Sequence, residues 1–439
     1  MSEKKLITPR KLSGFMELEP SKQMIFDQMK EKIKSVYQKF AFMPLDTPVL
    51  ELSEILLAKS GGEIDKELYA FTKGDTAVCM RYDLTVPLAR FVAMNEPNLT
   101  FPFKRYQIGK VFRGERAQKG RFREFIQCDA DIVGLEKLPC IADAECLNLA
   151  YQVFNELNLN IVIHISNRNI LFGYCEGLGL ESLTLDILVI LDKLGKIGKE
   201  NALEELVKLG IDNDKAQKLI AITMECGQFE EVIQNIESLS DNETYQKGVK
   251  ELKEVFSYLN AYGLNKDNYL LDIGIIRGHN YYTGTVFEAV MTSHPEFGAV
   301  CAGGRYDNLA GYYSPKNMPG VGVSIGLTRL FDLLDKNDML PNFKKTNIDL
   351  QIIPLGDTLL SCLQLQAYFQ KEIVCDINYD ERSFKGKMKE ANKREIPFIL
   401  IVGENEVESG MYSLKNMTTS EQFTLTKEEC LAKIKELQK

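Results

Sequence analysis

FKRYQIGKVFRGERAQKGRFREFIQCDADIVG, residues 103–134, is the stretch on which the reading of this chain turns. It holds Lys104, Arg105, Lys110, Arg113, Arg116, Lys119, Arg121 and Arg123, with Glu115 the one acidic residue among them. A run of like charge is ordinarily a solvated helix face. Here the charges are interleaved with Phe103, Tyr106, Phe112, Phe122 and Phe125, an alternation that favours strands over a helix. The expectation is a pair of strands joined by a glycine-containing turn, their cationic side chains gathered around an anionic ligand.

Outward from that hairpin, Ile25, Met29, Ile33, Val36 and Phe40 return at helical spacing and predict a helix over 21–40. Pro44 and Pro48 bracket a switch to extended structure. Residues 78–93 and 101–133 read as short strands joined by turns, a helical pattern starts at Asp143, and IVIHIS (161–166) reads as a buried strand with His164 a satisfied core residue. From about Leu183 to Leu264 the texture turns helical, with polar residues between apolar stripes. Strand character resumes at 269–276 and 285–290, so the helical stretch reads as an insertion in one domain whose sheet continues afterwards. Beyond Pro341, IDLQIIP, EIVCDINY and PFILIV alternate with helical segments and predict an α/β domain with a mostly parallel sheet. Its final helix opens with a capping box from Thr426 to Glu429.

The bulk properties narrow the function. With 439 residues, three domains are expected, and 45% hydrophobic residues suit sizeable cores. No apolar run is long enough to cross a bilayer, and MSEKKLITPRKLSG lacks the apolar stretch of a secretory signal. Ten cysteines without a C-x-x-C pair suggest reduced thiols in a cytoplasmic protein, best treated as small apolar residues. None of the three histidines, His164, His279 and His294, sits at metal-ligand spacing along the chain, so no zinc site is expected. A net charge of −9 argues against general coating of nucleic acid while leaving room for a local basic surface.

The segment 103–134 resembles the second signature motif of class II aminoacyl-tRNA synthetases, and GVGVSIGLTRL (320–330) resembles their third, where a glycine precedes an arginine that opens a helix. The first motif, a proline in a dimer-forming strand, is placed at Pro48. IRGHNYYTGTVFE (276–288), CAGGRYDNL (301–309) and MRYDLTVPLAR (80–90) look like motifs of the histidyl-tRNA synthetases in particular. The resemblance covers almost the whole chain. It implies a class II α+β catalytic core, an antiparallel sheet flanked by helices, in residues 1–180 and 265–340, with a helical insertion at 181–264 and a C-terminal α/β anticodon-binding domain at 341–439. It also implies ATP-dependent ligation of L-histidine to tRNA(His) through histidyl-adenylate, magnesium accompanying ATP, no membrane, and a homodimer.

Residue by residue, the resemblance assigns Arg113 and Arg277 as the catalytic pair flanking the α-phosphate. Arg121 and Arg329 then hold the β- and γ-phosphates, Phe125 stacks on adenine with the Arg329 guanidinium on its other face, and Glu115 accepts from the adenine amino group. A neutral imidazole carries one donor and one acceptor, so a selective pocket satisfies both nitrogens. Asp131, Tyr282 and Tyr306 are suited to that, with Asp83, Thr85 and Gln127 for the α-ammonium group. Neighbouring strand side chains point to opposite faces, which leaves Tyr281 in the core if Tyr282 faces the ligand. Gly303 and Gly304 let the backbone approach the ligand. Arg116, Gln118 and Lys119 are expected at the tRNA acceptor end. In the tail, Lys385, Lys387, Lys389, Lys393 and Arg394 sit on a helix whose bland reading is a solvated face and whose family reading is an RNA contact.

Two departures stand out: His279 and Asn280 occupy positions where the family has Leu-Asp, and Asp83 stands where bacterial relatives often carry glutamate. The rival readings are a silent, histidine-sensing regulatory paralogue and another class II synthetase. The tail domain and Arg277 argue against the first, and the tyrosine pair with CAGGRYDNL against the second.

Overall fold

A computed structural model of the chain describes residues 7–58, 67–116, 120–276 and 282–438. Contacts divide it into two compact units, one of residues 1–17 and 29–341 and the other of 18–28 and 342–439.

The first unit is organised by a nine-stranded sheet. In chain order the strands of this unit are β1 (Met43–Pro44), β2 (Leu50–Leu52), β3 (Ala70–Lys73), β4 (Thr76–Met80), β5 (Phe103–Phe112), β6 (Glu124–Val133), β7 (Ile161–Asn167), β8 (Cys226–Gly227), β9 (Tyr269–Asp272), β10 (Thr285–Met291), β11 (Ala299–Tyr306) and β12 (Gly320–Gly326). The large sheet runs β1-β5-β6-β12-β11-β10-β7-β9-β8, while β2, β4 and β3 form a small separate sheet. Every neighbouring pair of the large sheet is antiparallel except β1 with β5 and β7 with β9. The antiparallel sheet flanked by helices is therefore present, and its central hairpin is longer than the short strands expected at 101–133: β5 and β6 pair along ten residues each.

One expectation fails nearby. Residues 85–93 lie in the stretch 78–93 read as strand, yet Thr85–Asn95 is a helix. The Asp83 carboxylate accepts from the Val86 N–H at 3.1 Å, and Pro87 falls in the first turn, where its missing N–H has no intrahelical partner to lose. Local capping outweighs the β-branched and aromatic composition that suggested a strand.

The stretch read as helical holds helices at Thr184–Leu191, Leu194–Lys208, Asn213–Thr223, Phe229–Ile236 and Glu243–Ala261. The last packs against the helices Ile141–Glu156 and Arg168–Gly177, and β8 adds the final strand to the large sheet. Among the described residues no helix is long and apolar enough to cross a membrane.

In the second unit, β13 (Leu350–Pro354), β14 (Cys375–Ile377), β15 (Phe398–Val402), β16 (Tyr412–Asn416) and β17 (Gln422–Leu425) form a sheet in the order β14-β13-β15-β16-β17. Only β13 with β14 and β13 with β15 run parallel; β15, β16 and β17 pair antiparallel. The sheet is mixed because β16 and β17 are joined by the tight turn at 417–421, which antiparallel strands permit and parallel ones do not. Its core packs Leu350, Ile352, Phe398, Leu400 and Leu414 against Cys362, Leu365 and Phe369 of the helix Leu359–Phe369 and against Cys430 and Ile434 of the helix Lys427–Leu437.

Candidate active site

The period-2 alternation of β6 sends Phe125, Gln127, Asp129 and Asp131 to one face of the large sheet. On β12 the residues opposite them are small: Gly326 across from Gln127, Ser324 from Asp129, Gly322 from Asp131. On β11, Gly304 pairs Gly322 and Tyr306 pairs Gly320. Glycines here make the floor of a hollow. A Cβ on Gly322 would come within 2.2 Å of the Asp131 carboxylate, and one on Gly320 within 2.3 Å of the Tyr306 ring. Over this floor lies a cavity of about 550 Å³. Its lining includes Asp83, Thr85, Arg113, Glu115, Arg121, Phe125, Gln127, Asp131, Tyr282, Tyr306 and Arg329.

One end of the cavity is cationic. Arg113 directly follows β5, where its backbone N–H still donates to the Arg123 carbonyl at 2.9 Å. Its Nε donates to the Tyr82 carbonyl at 3.1 Å, and its guanidinium lies 5.1 Å from the centre of the Phe125 ring. Arg329, in the first turn of the helix Leu327–Lys336, donates to the Phe297 carbonyl at 2.6 Å. Burial and the neighbouring charge of Arg121 both hold its pKa below the usual arginine value. Arg121 itself pairs with Glu115 at 3.3 Å.

The other end is rich in acceptors. Tyr306 donates its hydroxyl to Asp131 Oδ1 at 2.8 Å, while the fully buried Arg105 sets a guanidinium nitrogen 2.8 Å from Asp131 Oδ2. Gln127 donates to Ser324 Oγ at 2.8 Å. Three buried oxygens of this end, Asp83 Oδ2, Gln127 Oε1 and Asp129 Oδ1, have no hydrogen-bond partner among the described residues. Buried acceptors are normally satisfied, and an unsatisfied one costs about 1–3 kcal/mol, so three around one cavity mark where a donor-rich group fits. Burial drives the carboxyls upward, Asp83 to about 6 against the pull of the Val86 N–H and Arg113, and Asp129 to about 7 against the pull of Arg105.

A family model described as histidyl-tRNA synthetase matches residues 14–330, and a second, described as an anticodon binding domain, matches residues 349–437. The histidine–tRNA ligase of Clostridium tetani is 43% identical over 437 residues, covering 99% of each chain. That of Clostridium acetobutylicum is 42% identical over 96% of this chain and 99% of its own. The crystal structure of histidyl-tRNA synthetase from Nostoc sp. PCC 7120 superposes with a TM-score of 0.90 at 33% identity, covering 98% of this chain and 100% of that one.

This chain belongs to the histidyl-tRNA synthetase family.

Within that family frame, eleven of the residues picked out for histidine and ATP meet in one cavity. Arg277, Gln118 and Lys119 lie outside the described residues, as do Tyr281 and the His279-Asn280 departure. Arg116 is exposed in the turn after β5, away from the cavity lining.

The basic run divides differently from the expectation that its charges gather around one ligand. Among its described residues, only Arg113 and Arg121 line the cavity. Lys104 pairs with Glu145, Lys110 with Glu124, and Arg105 is spent on Asp131. Gly303 also differs from its expected role. A Cβ there would strike the Phe287 ring at 2.4 Å and the Gly322 carbonyl at 2.3 Å, so its smallness serves the packing behind the floor, whereas Gly304 does line the cavity. His164 is not a core residue; its ring is partly exposed, with Nδ1 2.8 Å from Asp272.

Two residues the sequence reading passed over belong to the site. Asp129 shares the face of Gln127 and Asp131, and the same alternation that placed those two points to it. Arg105 left no such sign: in a run of cations nothing local distinguishes the buried one.

Proposed function

We propose that this cavity holds histidine at its acceptor-rich end and ATP at its guanidinium end, and joins them. Membership of the family makes the chain a histidine–tRNA ligase of class II: it attaches histidine to tRNA(His) at the expense of ATP. In the first step a histidine carboxylate oxygen attacks the α-phosphorus, the bond to pyrophosphate breaks, and histidyl-adenylate forms. In the second, the terminal 3′-hydroxyl of tRNA attacks the activated carbonyl and AMP leaves.

The first step demands little proton transfer, so positioning and charge neutralisation carry its rate; in the second, the attacking hydroxyl gives up its proton as the bond to AMP breaks. Arg113 clamps the α-phosphate and the attacking carboxylate, and Arg277 takes the opposite side. Arg121 and Arg329 hold the outer phosphates, Phe125 stacks on adenine and Glu115 accepts from its amino group. Asp83, Thr85 and Gln127 take the α-ammonium group, while Asp131, Tyr282 and Tyr306 read the imidazole. The observation that carries this reading is the trio of buried acceptors without hydrogen-bond partners, Asp83 Oδ2, Gln127 Oε1 and Asp129 Oδ1, which line the same cavity as Arg113. An ammonium group is three donors and no acceptor, the complement of that trio. Magnesium accompanies the ATP; it takes oxygen donors, which the phosphates' own oxygens and water would supply.

Arg116, Gln118 and Lys119 contact the acceptor end of the tRNA. The exposed Lys385, Lys389 and Lys393 of the tail helix Phe384–Lys393 contact its anticodon end; Lys387 is withdrawn from that role, being buried and bonded to the Asn378 carbonyl at 3.1 Å. The domains follow the boundaries drawn from sequence: 1–180 and 265–340 catalytic, 181–264 inserted, 341–439 anticodon-binding. The protein is a homodimer, a reading supported by Met43, Val49, Leu50 and Leu52, which expose apolar side chains around Pro48 and the edge strand β1. A cytoplasmic location goes with the ten free cysteines.

The test is amino-acid-dependent ATP–pyrophosphate exchange with each of the twenty amino acids. Exchange with histidine alone is expected, collapsing in Arg113→Ala and Arg277→Ala. Histidine binding with no exchange points to a regulatory paralogue, and exchange with a different amino acid overturns the pocket assignment.

A further inference from the structure

Away from the cavity, three side chains that the sequence keeps far apart meet at the edge of the large sheet. His164 comes from β7, Asp272 from the end of β9 and Cys226 from β8. In the parallel β7–β9 ladder His164 lies opposite Leu270, two residues before Asp272 and on its face; in the antiparallel β9–β8 ladder Asp272 lies opposite Cys226. All three therefore project from one side of the sheet. The imidazole Nδ1 is 2.8 Å from Asp272 Oδ2, and imidazole, thiol and carboxylate each offer an atom within 4.8 Å of the other two. The second Asp272 oxygen accepts from the Gly274 N–H at 3.0 Å, which fixes the plane of the carboxylate in advance.

We propose that His164, Cys226 and Asp272 form a binding site for a zinc-class divalent cation, with a water from the solvent side as fourth ligand. Imidazole nitrogen, thiolate sulfur and carboxylate oxygen are the three donor types zinc takes, at bond lengths that put tetrahedral ligand atoms roughly 3.3–3.8 Å apart. Small side-chain rotations bring the spacings into that range, opening the 2.8 Å between His164 and Asp272 and closing any longer ones, the cation taking the place of the proton now shared between that pair. Calcium and magnesium want six or more oxygens and find two residues here that supply none. Cys226 is also the one exposed cysteine of the ten; the others are buried or partly so. An exposed thiol beside an oriented imidazole–carboxylate pair is an open three-ligand site, accessible to an ion from solution.

The site would tie β7 and β9 to β8, the strand contributed by the largely helical 184–261 stretch, at a point five residues before Arg277. Its role is to clasp that edge. Binding expels the thiol proton, and a second ring proton where His164 is an imidazolium; a neutral ring keeps its one N–H, on Nε2.

The experiment is titration of the full chain, first stripped with a chelator, with cobalt(II) and then zinc(II). One equivalent of cobalt is expected to give the visible bands of a tetrahedral ion together with a thiolate charge-transfer band, zinc to displace it, and zinc to raise the melting temperature. Cys226→Ser and His164→Ala, neither of them in the catalytic cavity, are expected to abolish the spectrum and the thermal shift while leaving pyrophosphate exchange in chelator unchanged. Circular dichroism confirms that both variants fold. No saturable cobalt spectrum in the wild type, or a spectrum that survives in either variant, overturns the site.

Discussion

Gly322 on β12 lies directly across the ladder from Asp131 on β6, and the missing Cβ of the one is the space occupied by the carboxylate of the other. At 2.2 Å from Oδ1, even a methyl group forces Asp131 aside and breaks its bond from Tyr306. Gly322→Ala is therefore expected to weaken histidine use while sparing ATP. Overpacking of this kind costs about 1–3 kcal/mol of stability, and a misplacement near 1 Å lowers kcat/KM by about 10²-fold. Steady-state exchange kinetics, varying histidine and ATP separately, check it; an unchanged KM and kcat for histidine would show that Asp131 does not read the substrate.

Arg113 is held by the Tyr82 carbonyl and the Phe125 ring, so its guanidinium is oriented before substrates bind. Removing an oriented donor that meets charge developing in the transition state costs roughly 10²–10³-fold in rate. Arg113→Ala is expected to show that loss in pyrophosphate exchange, and Arg113→Lys to recover little of it, because an ammonium is a point charge without the planar fork. Full rescue by lysine would reduce the role of Arg113 to simple charge.

Burial raises the carboxyls of Asp83 and Asp129 to about 6 and about 7. The folded chain thus holds protons that the unfolded chain releases near pH 4. Their contribution to stability is fully present below about pH 4 and is lost as pH climbs through about 6 to 7. Urea denaturation of the ligand-free protein across that window is expected to show the decline, with Asp129→Asn flattening it. If the slope with pH is the same in the variant, Asp129 is not the group responsible.

Arg305 and Asp143 form a buried ion pair beneath the sheet, Arg305 donating also to the Leu138 carbonyl at 2.9 Å and the Pro139 carbonyl at 3.3 Å. Arg305→Ala strands the Asp143 carboxylate and is expected to cost about 3–5 kcal/mol. The double variant Arg305→Met with Asp143→Leu, which removes both charges, is expected to regain much of that stability. Denaturant midpoints with unchanged m-values measure both. A double variant no better than the single would locate the loss in the backbone carbonyls that Arg305 caps.

How much of this was legible beforehand varies by residue. Phe125, Gln127 and Asp131 were readable because strand side chains alternate, and Asp129 stood on the same face for anyone applying that period strictly. The helix Thr85–Asn95 was misread because its composition favours a strand, whereas a single cap from Asp83 decided otherwise. Arg105 was hidden inside a basic run, since only burial separates it from its solvated neighbours. His164 was read as core because its neighbours are apolar, although its strand lies near the sheet's edge with that face partly open.

By itself the sequence determined the hairpin at 103–134, the family to which its motifs belong and eleven of the residues that line the cavity, because alternation and motif spacing are local properties of the chain. The tertiary structure alone decided which strands became neighbours, and at what register. That placed Gly322 against Asp131, buried Arg105 beneath it, and brought His164, Cys226 and Asp272 together from three separate strands. Register is set by the ladder as a whole and by the packing of one face, and no stretch of chain contains it.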